Sequence, residues 1–201
     1  MRTPRENGRV EVITGCMFSG KTEELLSRIR RAEQAEKQVA AFTPSTDDRY
    51  GEGYIGSHIG RRWEAEVVDR DNPQKIIESL NGDEDVIAID EANFFNDDLP
   101  DVCNRLADND YRVIVSGTDQ TFRGEPFKPV PTLMATAEYV KKMSQAVCER
   151  CGDPASRNQR LIDNEPAPSD APTIQVGGEE TYEARCRDCH TVPKPETTSD
   201  D

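Results

Sequence analysis

The chain has 201 residues, enough for one ordinary domain and a small appended module. Lysine and arginine total 25 against 39 aspartates and glutamates, so the net charge is −14, which disfavours a nucleic-acid partner because acidic surfaces repel phosphate backbones. No stretch approaches the roughly 20 apolar residues of a membrane span, and the start "MRTPRENGRVEV" lacks an apolar signal region. We therefore expect a cytoplasmic protein that binds no membrane; its acidity fits a salt-rich cell interior as well as an ordinary one.

The first part of the chain predicts a strand, a loop and a helix. Arg9–Thr14, "RVEVIT", is rich in β-branched residues, and 22–38 carries an apolar face opposite its charges, as amphipathic helices do. A second strand is predicted over 38–42. Residues 44–62 are rich in glycine, aspartate and arginine without periodicity, which indicates a long functional loop.

The alternation of strands and helices then continues. "WEAEVVD" at 63–69 predicts a strand, and 72–82 has a proline near its start and a glycine at its end, as helices do. Val86–Ile89 reads as a buried strand, followed by a helix over 97–110 and a strand over 111–119. This order implies right-handed crossovers and a parallel sheet with helices on both faces.

The pattern changes near residue 143, which suggests a division of the chain. We predict a first domain over 1–143, a second domain over 144–192 and a disordered tail over 193–201. Within the second domain, the proline- and acid-rich segment 163–172 predicts a mobile loop.

An eight-residue loop after the first strand matches the pattern G-x-x-x-x-G-K-[ST] in full. It lies after a strand and before a helix, the context that separates phosphate-binding loops from a chance glycine-rich turn. Backbone N–H groups of such a loop point at phosphate oxygens, the lysine reaches the β and γ phosphates, and the threonine hydroxyl binds Mg²⁺. The loop consists of Gly15, Cys16, Met17, Phe18, Ser19, Gly20, Lys21 and Thr22.

Two acids follow the strand Val86–Ile89, at the edge where parallel sheets bind ligands. Asp90 is expected to hold Mg²⁺, directly or through water. Glu91 can take a proton from an attacking hydroxyl group or from water, so phosphoryl transfer and hydrolysis are both open. A solvated acid at the strand end is the simpler alternative for Glu91.

Four cysteines form two Cys-x-x-Cys pairs, separated by a segment that can loop out at small entropic cost. Such pairs favour a structural tetrahedral zinc in a reducing compartment, with redox or free cysteines as the alternative. His190 could in principle replace Cys189, while Cys16 and Cys103 read as small residues of the sheet region. The predicted zinc ligands are Cys148, Cys151, Cys186 and Cys189.

Taken in order, six segments resemble the type II, zinc-containing thymidine kinases. They are "GCMFSGKTEELL", "DDRY", "IDEANFF", "GTDQTFRGEPF", "AVCERCG" and "QVGGEETYEARCRDCH", and the resemblance extends to about residue 192. It implies a P-loop, RecA-like α/β fold with a small C-terminal zinc-ribbon-like domain that carries a lasso loop. It also implies transfer of the ATP γ-phosphoryl group to the 5′-hydroxyl of thymidine, with Mg²⁺ and a structural Zn²⁺.

The resemblance also implies roles for individual residues. Glu91 would be the catalytic base, and the nucleotide site would comprise the eight-residue loop together with Asp47, Asp48, Arg49, Asp90, Glu91, Ala92 and Asn93. The wall around the thymine base would comprise Met17, Thr118, Phe122 and Phe127. The lasso and the residue closing over the ligand would comprise Thr173, Ile174, Gln175, Val176, Gly177 and Tyr182.

Partners and alternatives complete the expectations. The resemblance implies feedback inhibition by dTTP and a homotetramer, and Arg49 and Arg123 are candidates for stabilising the transferred phosphoryl group. One rival is a recombinase-type P-loop ATPase with an appended zinc ribbon, which the acidic charge disfavours. Another is a zinc-ribbon binding module that uses ATP only as a conformational ligand. Asn93, Thr118 and Cys16 stand where the family usually has other residues.

Overall fold

The structure of the protein, a computed structural model, describes residues 8–45, 53–56, 60, 62–174 and 181–195. The strands in these ranges are β1 (Arg9–Thr14), β2 (Val39–Pro44), β3 (Tyr54–Gly56), β4 (Arg62–Glu64), β5 (Glu66–Val68), β6 (Val86–Ile89), β7 (Arg112–Gly117), β8 (Tyr139–Lys142), β9 (Arg157–Ile162), β10 (Glu165–Pro166) and β11 (Thr181–Arg185). The helices are α1 (Lys21–Gln34), α2 (Lys75–Glu78), α3 (Leu99–Asp108) and α4 (Val130–Thr136), with a 3₁₀ turn at Ala92–Phe94.

Six strands form one sheet in the order β5-β2-β6-β7-β1-β8, and every neighbouring pair is parallel. Helix α1 covers one face with Leu25 and Ile29, while α2, α3 and α4 cover the other with Ile76, Leu106 and Leu133. The predicted parallel sheet with helices on both faces is therefore confirmed. The loops after β1, β6 and β7 meet at one edge, where sheets of this kind bind ligands.

Some elements differ from the expectations. The region 44–62 contains β3, which pairs antiparallel with β4, so it is not a continuous loop. The predicted strand 63–69 is divided at Ala65, because β4 pairs with β3 whereas β5 joins the main sheet beside β2. Helix α2 is one turn rather than the predicted 72–82, and α4 and β8 were not predicted.

A second, antiparallel sheet in the order β10-β9-β11 follows the main one. The segment 163–172, predicted to be a mobile loop, contributes β10 to this sheet and buries Ala167 and Ala171 beside Phe122. Composition misled here, because the carbonyl groups of this segment are bound by Arg123 and Arg160, which lie outside it.

None of the helices in the described ranges has the length and apolar character needed to cross a membrane.

Glu11 is the most heavily paired carboxylate in the described part of the main sheet. It points from β1 toward α1 and accepts hydrogen bonds from Arg9, Arg28 and Arg112 at 2.6–2.9 Å, with only 7% of its side chain exposed. Burial by itself raises the pKa of Glu11, but the three arginines outweigh it and hold the pKa at about 2, below the ordinary 4.5. The ionised form is therefore the one that stabilises the fold.

We expect Glu11→Gln to lower the free energy of unfolding by about 3 kcal/mol at pH 7. The folded-state pKa is depressed, so this stabilisation is present above pH 4.5 and is lost as the pH falls toward 2. Urea unfolding of both proteins from pH 7 to pH 2.5 measures the difference, which should narrow steadily with acidification. Glu78→Gln, at an exposed position on α2, is the control. A difference between wild type and Glu11→Gln that does not change with pH would contradict this account.

Candidate active site

The loop 15–22 leaves the carboxyl end of β1 and runs into α1. Gly15 has a φ of 147°, and a Cβ there would lie 2.8 Å from both the Met143 carbonyl oxygen and the Ser19 hydroxyl. Gly20, which precedes α1, has a φ of 87°, a left-handed conformation that favours glycine. The two glycines therefore allow the tight curl that brings successive N–H groups to one side.

The interior of this loop carries polar groups that fit a phosphate chain. The Ser19 hydroxyl is fully buried and has no hydrogen-bond partner in the described structure. The Lys21 ammonium donates to the Cys16 carbonyl oxygen at 2.8 Å. Thr22 is half-buried in the first turn of α1, and Phe18 is largely exposed. An unpartnered hydroxyl and a lysine next to curled N–H groups are what phosphate oxygens require.

The charges around Lys21 show which groups the fold brings together. Burial lowers the pKa of Lys21, and the negative charges of Glu91, Asp90 and Asp119 act in the opposite direction. The loop after β1 and the acids after β6 and β7 thus lie close enough to interact electrostatically, as the predicted site requires.

Asp90 and Glu91 directly follow β6, as predicted. Asp90 is buried, and its pKa is raised first by that burial and second by the charge of Glu91. Glu91 is half-buried and has a φ of 49°, a left-handed conformation that is unfavourable for a residue with a side chain. Such strain is typical of functional positions, since the surrounding structure must hold it.

The residues after Glu91 join the ends of two strands. The Asn93 side-chain oxygen accepts a hydrogen bond from the Thr118 N–H at 2.8 Å, and both residues are buried. Ala92 is also buried and packs against Gly117 at the end of β7. This contact fixes the loop after β6 against the loop after β7.

Sequence reasoning missed an ion pair at the same edge. Asp119 is buried, and one of its oxygens lies 2.5 Å from the Lys142 ammonium at the end of β8. The other oxygen of Asp119 is buried without a hydrogen-bond partner in the described structure. The two residues are 23 positions apart in the sequence, and β8 was not predicted, so no local pattern marked the pair.

The aromatic residues predicted around the base lie in two different packing environments. Phe122 is buried beside Ala167, Ala171 and Tyr182, whereas Phe127 is half-buried and makes an edge-to-face contact with Phe94 at 6.3 Å. Tyr182 lies on β11 opposite Arg160 of β9.

Two arginines hold the segment that leads into the predicted lasso. Arg123 donates to the Ser169 carbonyl oxygen at 2.6 Å, to the Thr173 hydroxyl at 2.7 Å and to the Ala171 carbonyl oxygen. Arg160 is completely buried and donates to the Pro172 carbonyl oxygen. Their guanidinium groups lie 4.4 and 5.4 Å from the centre of the Phe122 ring. Arg123, one of two arginines predicted to stabilise a phosphoryl group, thus directs its donors at residues 169–173.

The four predicted zinc ligands converge on one point. Their sulfur atoms all lie within 4.8 Å of one another, and those of Cys151 and Cys186 are 3.6 Å apart. Four sulfurs around a tetrahedral zinc at 2.3 Å lie roughly 3.8 Å apart, so the cluster fits this metal. The His190 ring instead makes a hydrogen bond with the Phe122 carbonyl oxygen at 2.8 Å.

The remaining cysteines occupy different environments. Cys16 is buried in a cluster with Ala146, Ala155 and the zinc-ligand candidates, and its thiol donates to the Ala155 carbonyl oxygen at 3.6 Å. It therefore joins the phosphate-binding loop to the cysteine cluster rather than packing only within the sheet. Cys103 is buried in α3, and that burial raises the pKa of its thiol to about 12.

Six predicted site residues lie outside the described ranges. They are Asp47, Asp48, Arg49, Gln175, Val176 and Gly177. Ile174, the last described residue before the gap at 175–180, is exposed.

A curled glycine-lysine loop facing two acids on a parallel sheet defines a P-loop nucleotide-binding protein, here with a four-cysteine cluster. Comparison with known proteins identifies the family, since the model described as "Thymidine kinase" matches residues 8–190. Proteins named thymidine kinase from two strains of Halobacterium salinarum are 63% identical over 194 residues, covering 96% of this chain and 98% of theirs. One from Haloquadratum walsbyi is 53% identical over 223 residues, covering 96% and 99%. The chain belongs to the thymidine kinase family.

Proposed function

We propose that this enzyme transfers the γ-phosphoryl group of ATP to the 5′-hydroxyl of thymidine, and also of deoxyuridine, giving the 5′-monophosphate and ADP. The observation that carries this function is the family match over 8–190, which includes the loop, the acids and the cysteines. Neither alternative from the sequence, a recombinase-type ATPase or a zinc-ribbon binding module, accounts for a match of that extent.

The transfer assigns a task to each group at the sheet edge. Glu91 accepts the proton of the 5′-hydroxyl. The hydroxyl oxygen bonds to the γ phosphorus while the bond between the γ phosphorus and the β-γ bridging oxygen breaks. Lys21 and the N–H groups of 15–22 other than that of Met17, which donates to Asn158, would hold the phosphates, and Thr22 and Asp90 would bind Mg²⁺. When bound, Mg²⁺ neutralises charge on the phosphate oxygens.

The thymidine side uses the loop after β7 together with the predicted lasso. Met17, Thr118, Phe122 and Phe127 would line the base, and the backbone of 173–177 would read its polar edge with Tyr182 closing over it. Aromatic side chains and backbone groups suit a flat base with a polar rim. The packing of Phe122 against Tyr182 supports this arrangement.

The contacts of Arg123 bear on its predicted role. Because Arg123 bonds three groups of 169–173, we propose that it positions the lasso rather than the phosphates. Arg49 is then the candidate for stabilising the transferred phosphoryl group.

A nucleoside panel with ATP and Mg²⁺ tests the activity, with chromatography of the 5′-monophosphates as the measurement. Product from thymidine and deoxyuridine, but not from deoxycytidine or purine nucleosides, is the expected result. ATP hydrolysis stimulated by DNA, without nucleoside phosphorylation, would support the recombinase-type alternative instead.

Arg123→Gln is expected to raise the KM for thymidine by at least about tenfold, with a smaller change in kcat. The reason is that hydrogen bonds from a charged donor contribute about 1.5–3 kcal/mol each, and the variant weakens three of them. Steady-state kinetics with each substrate varied in turn is the measurement, and Arg105→Gln, at an exposed position on α3, is the control. A raised KM for ATP with an unchanged KM for thymidine would indicate that Arg123 binds the phosphates instead of positioning the lasso.

Other parts of the proposal rest on the sequence patterns and on the resemblance. They are the Zn²⁺ at the four cysteines, inhibition by dTTP, a homotetramer, a cytoplasmic location, and the division into 1–143, 144–192 and 193–201. The fit of the sulfur positions to a tetrahedral ion supports the zinc site.

A further inference from the structure

Asn158 is a buried amide at the place where the two sheets meet. It lies on β9 opposite Ala184 of β11, and only 3% of the residue is exposed. Its side chain shares a strand face with Arg160, which binds the segment leading into the lasso.

Both ends of this amide are used, and each binds a different loop of the site. The side-chain oxygen accepts a hydrogen bond from the Met17 N–H at 2.7 Å, within the phosphate-binding loop. The side-chain nitrogen donates to the Gln120 carbonyl oxygen at 2.7 Å, in the loop between Thr118 and Phe122. One side chain thus spans the loop assigned to ATP and the loop assigned to thymidine.

The requirement for asparagine follows from these two bonds. The Met17 N–H needs an acceptor and the Gln120 carbonyl needs a donor, and a side-chain amide offers both at a fixed spacing. Aspartate keeps the acceptor and loses the donor, while alanine loses both. Because both bonds are partly buried, each lost bond leaves a polar backbone group without its protein partner.

We propose that Asn158 is a positioning residue that sets the distance between the ATP loop and the thymidine loop. The inference rests on the proposed function, since the spacing matters only if the γ-phosphoryl group and the 5′-hydroxyl must meet there. Transfer depends strongly on this distance, because a misplacement of about 1 Å costs on the order of a hundredfold in rate. Asn158 also couples the ATP site and the thymidine site, so that binding of one substrate strengthens binding of the other.

The next residue provides a matched control. Gln159 is as buried as Asn158, and its side-chain amide also makes two hydrogen bonds to backbone groups. It donates to the Thr191 carbonyl oxygen at 2.9 Å and accepts from the Thr191 N–H at 2.8 Å. These bonds hold the end of the chain beyond the cysteine cluster, beside His190, and they do not join residues 15–22 to the loop between Thr118 and Phe122. The two residues therefore have matching burial and paired backbone contacts but different partners.

The experiment compares Asn158→Ala, Asn158→Asp and Gln159→Ala in the full-length, zinc-loaded protein. Asn158→Ala is expected to lower kcat/KM for thymidine and for ATP by about 10- to 100-fold, and Gln159→Ala to lower them less than threefold. Asn158→Asp should raise the KM for thymidine more than the KM for ATP, because it keeps an acceptor for Met17. This variant also tests the proposal should Asn158→Ala fail to fold.

A binding measurement separates positioning from general destabilisation. Calorimetry gives the affinity of a non-hydrolysable ATP analogue with and without thymidine, and Asn158→Ala should lose the thymidine-induced increase that wild type and Gln159→Ala show. Equal behaviour of Asn158→Ala and Gln159→Ala, with wild type phosphorylating thymidine, would overturn the proposal for Asn158. A wild-type protein that fails to phosphorylate thymidine would instead overturn the proposed function.

Discussion

Glu91→Gln is expected to lower kcat for thymidine phosphorylation by about 10²- to 10⁴-fold, the usual contribution of a general base. Glutamine has nearly the same shape as glutamate and cannot accept the proton of the 5′-hydroxyl. Thymidine and the ATP analogue should still bind, because neither depends mainly on this carboxylate. Single-turnover kinetics for the chemical step, together with equilibrium binding of both substrates, measures the two effects separately.

The control for this variant is Asp97→Asn, which neutralises an exposed carboxylate six residues away in the same connection. It should leave kcat unchanged, since Asp97 pairs only with Lys128 at 3.4 Å among the contacts of the described residues. Normal turnover in Glu91→Gln would remove Glu91 from the chemistry. Loss of thymidine binding in Glu91→Gln would assign it to substrate binding instead.

The sequence predicted the position of Glu91 but not its left-handed backbone conformation. An apolar strand followed by two acids is a local signal, so the position at the end of β6 was predictable. The φ of 49° depends on the packing of Ala92 against Gly117 and on the bond from Thr118 to Asn93. Those partners lie more than twenty residues away, beyond any local pattern.

The parts of the site that depend on local spacing were predictable, and the parts that depend on distant contacts were not. The phosphate-binding loop and the cysteine pairs were predictable because their spacing is imposed by a ligand, phosphate in one case and a tetrahedral metal in the other. Asn158 escaped notice because its partners, Met17 and Gln120, lie 141 and 38 residues away. Segment 163–172 was mistaken for a mobile loop because its order depends on arginines outside it.

Cys186→Ser is expected to release most of the bound zinc and to destabilise the sheet formed by β9, β10 and β11. The apolar cluster beneath this part of the chain consists mainly of small residues, among them Ala146, Ala155 and Ala184. Such a cluster buries little apolar area, so the proposed zinc would supply much of the folding free energy of this part of the chain, on the order of 10 kcal/mol at neutral pH. Metal analysis and thermal unfolding of the purified proteins measure both effects.

Loss of the zinc should also disturb the ATP site, because Cys16 of the phosphate-binding loop packs against the same apolar cluster. We therefore expect a strong chelator, or Cys186→Ser, to weaken binding of both ATP and thymidine. Cys103→Ala, which removes a buried thiol in α3 far from the cluster in sequence, should retain one zinc per chain and both affinities. Absence of zinc in the wild type, with disulfides found among the four cysteines by mass spectrometry, would replace the metal site with a redox one. Retention of stability and of both affinities after the zinc has been removed would show that the cluster folds without it.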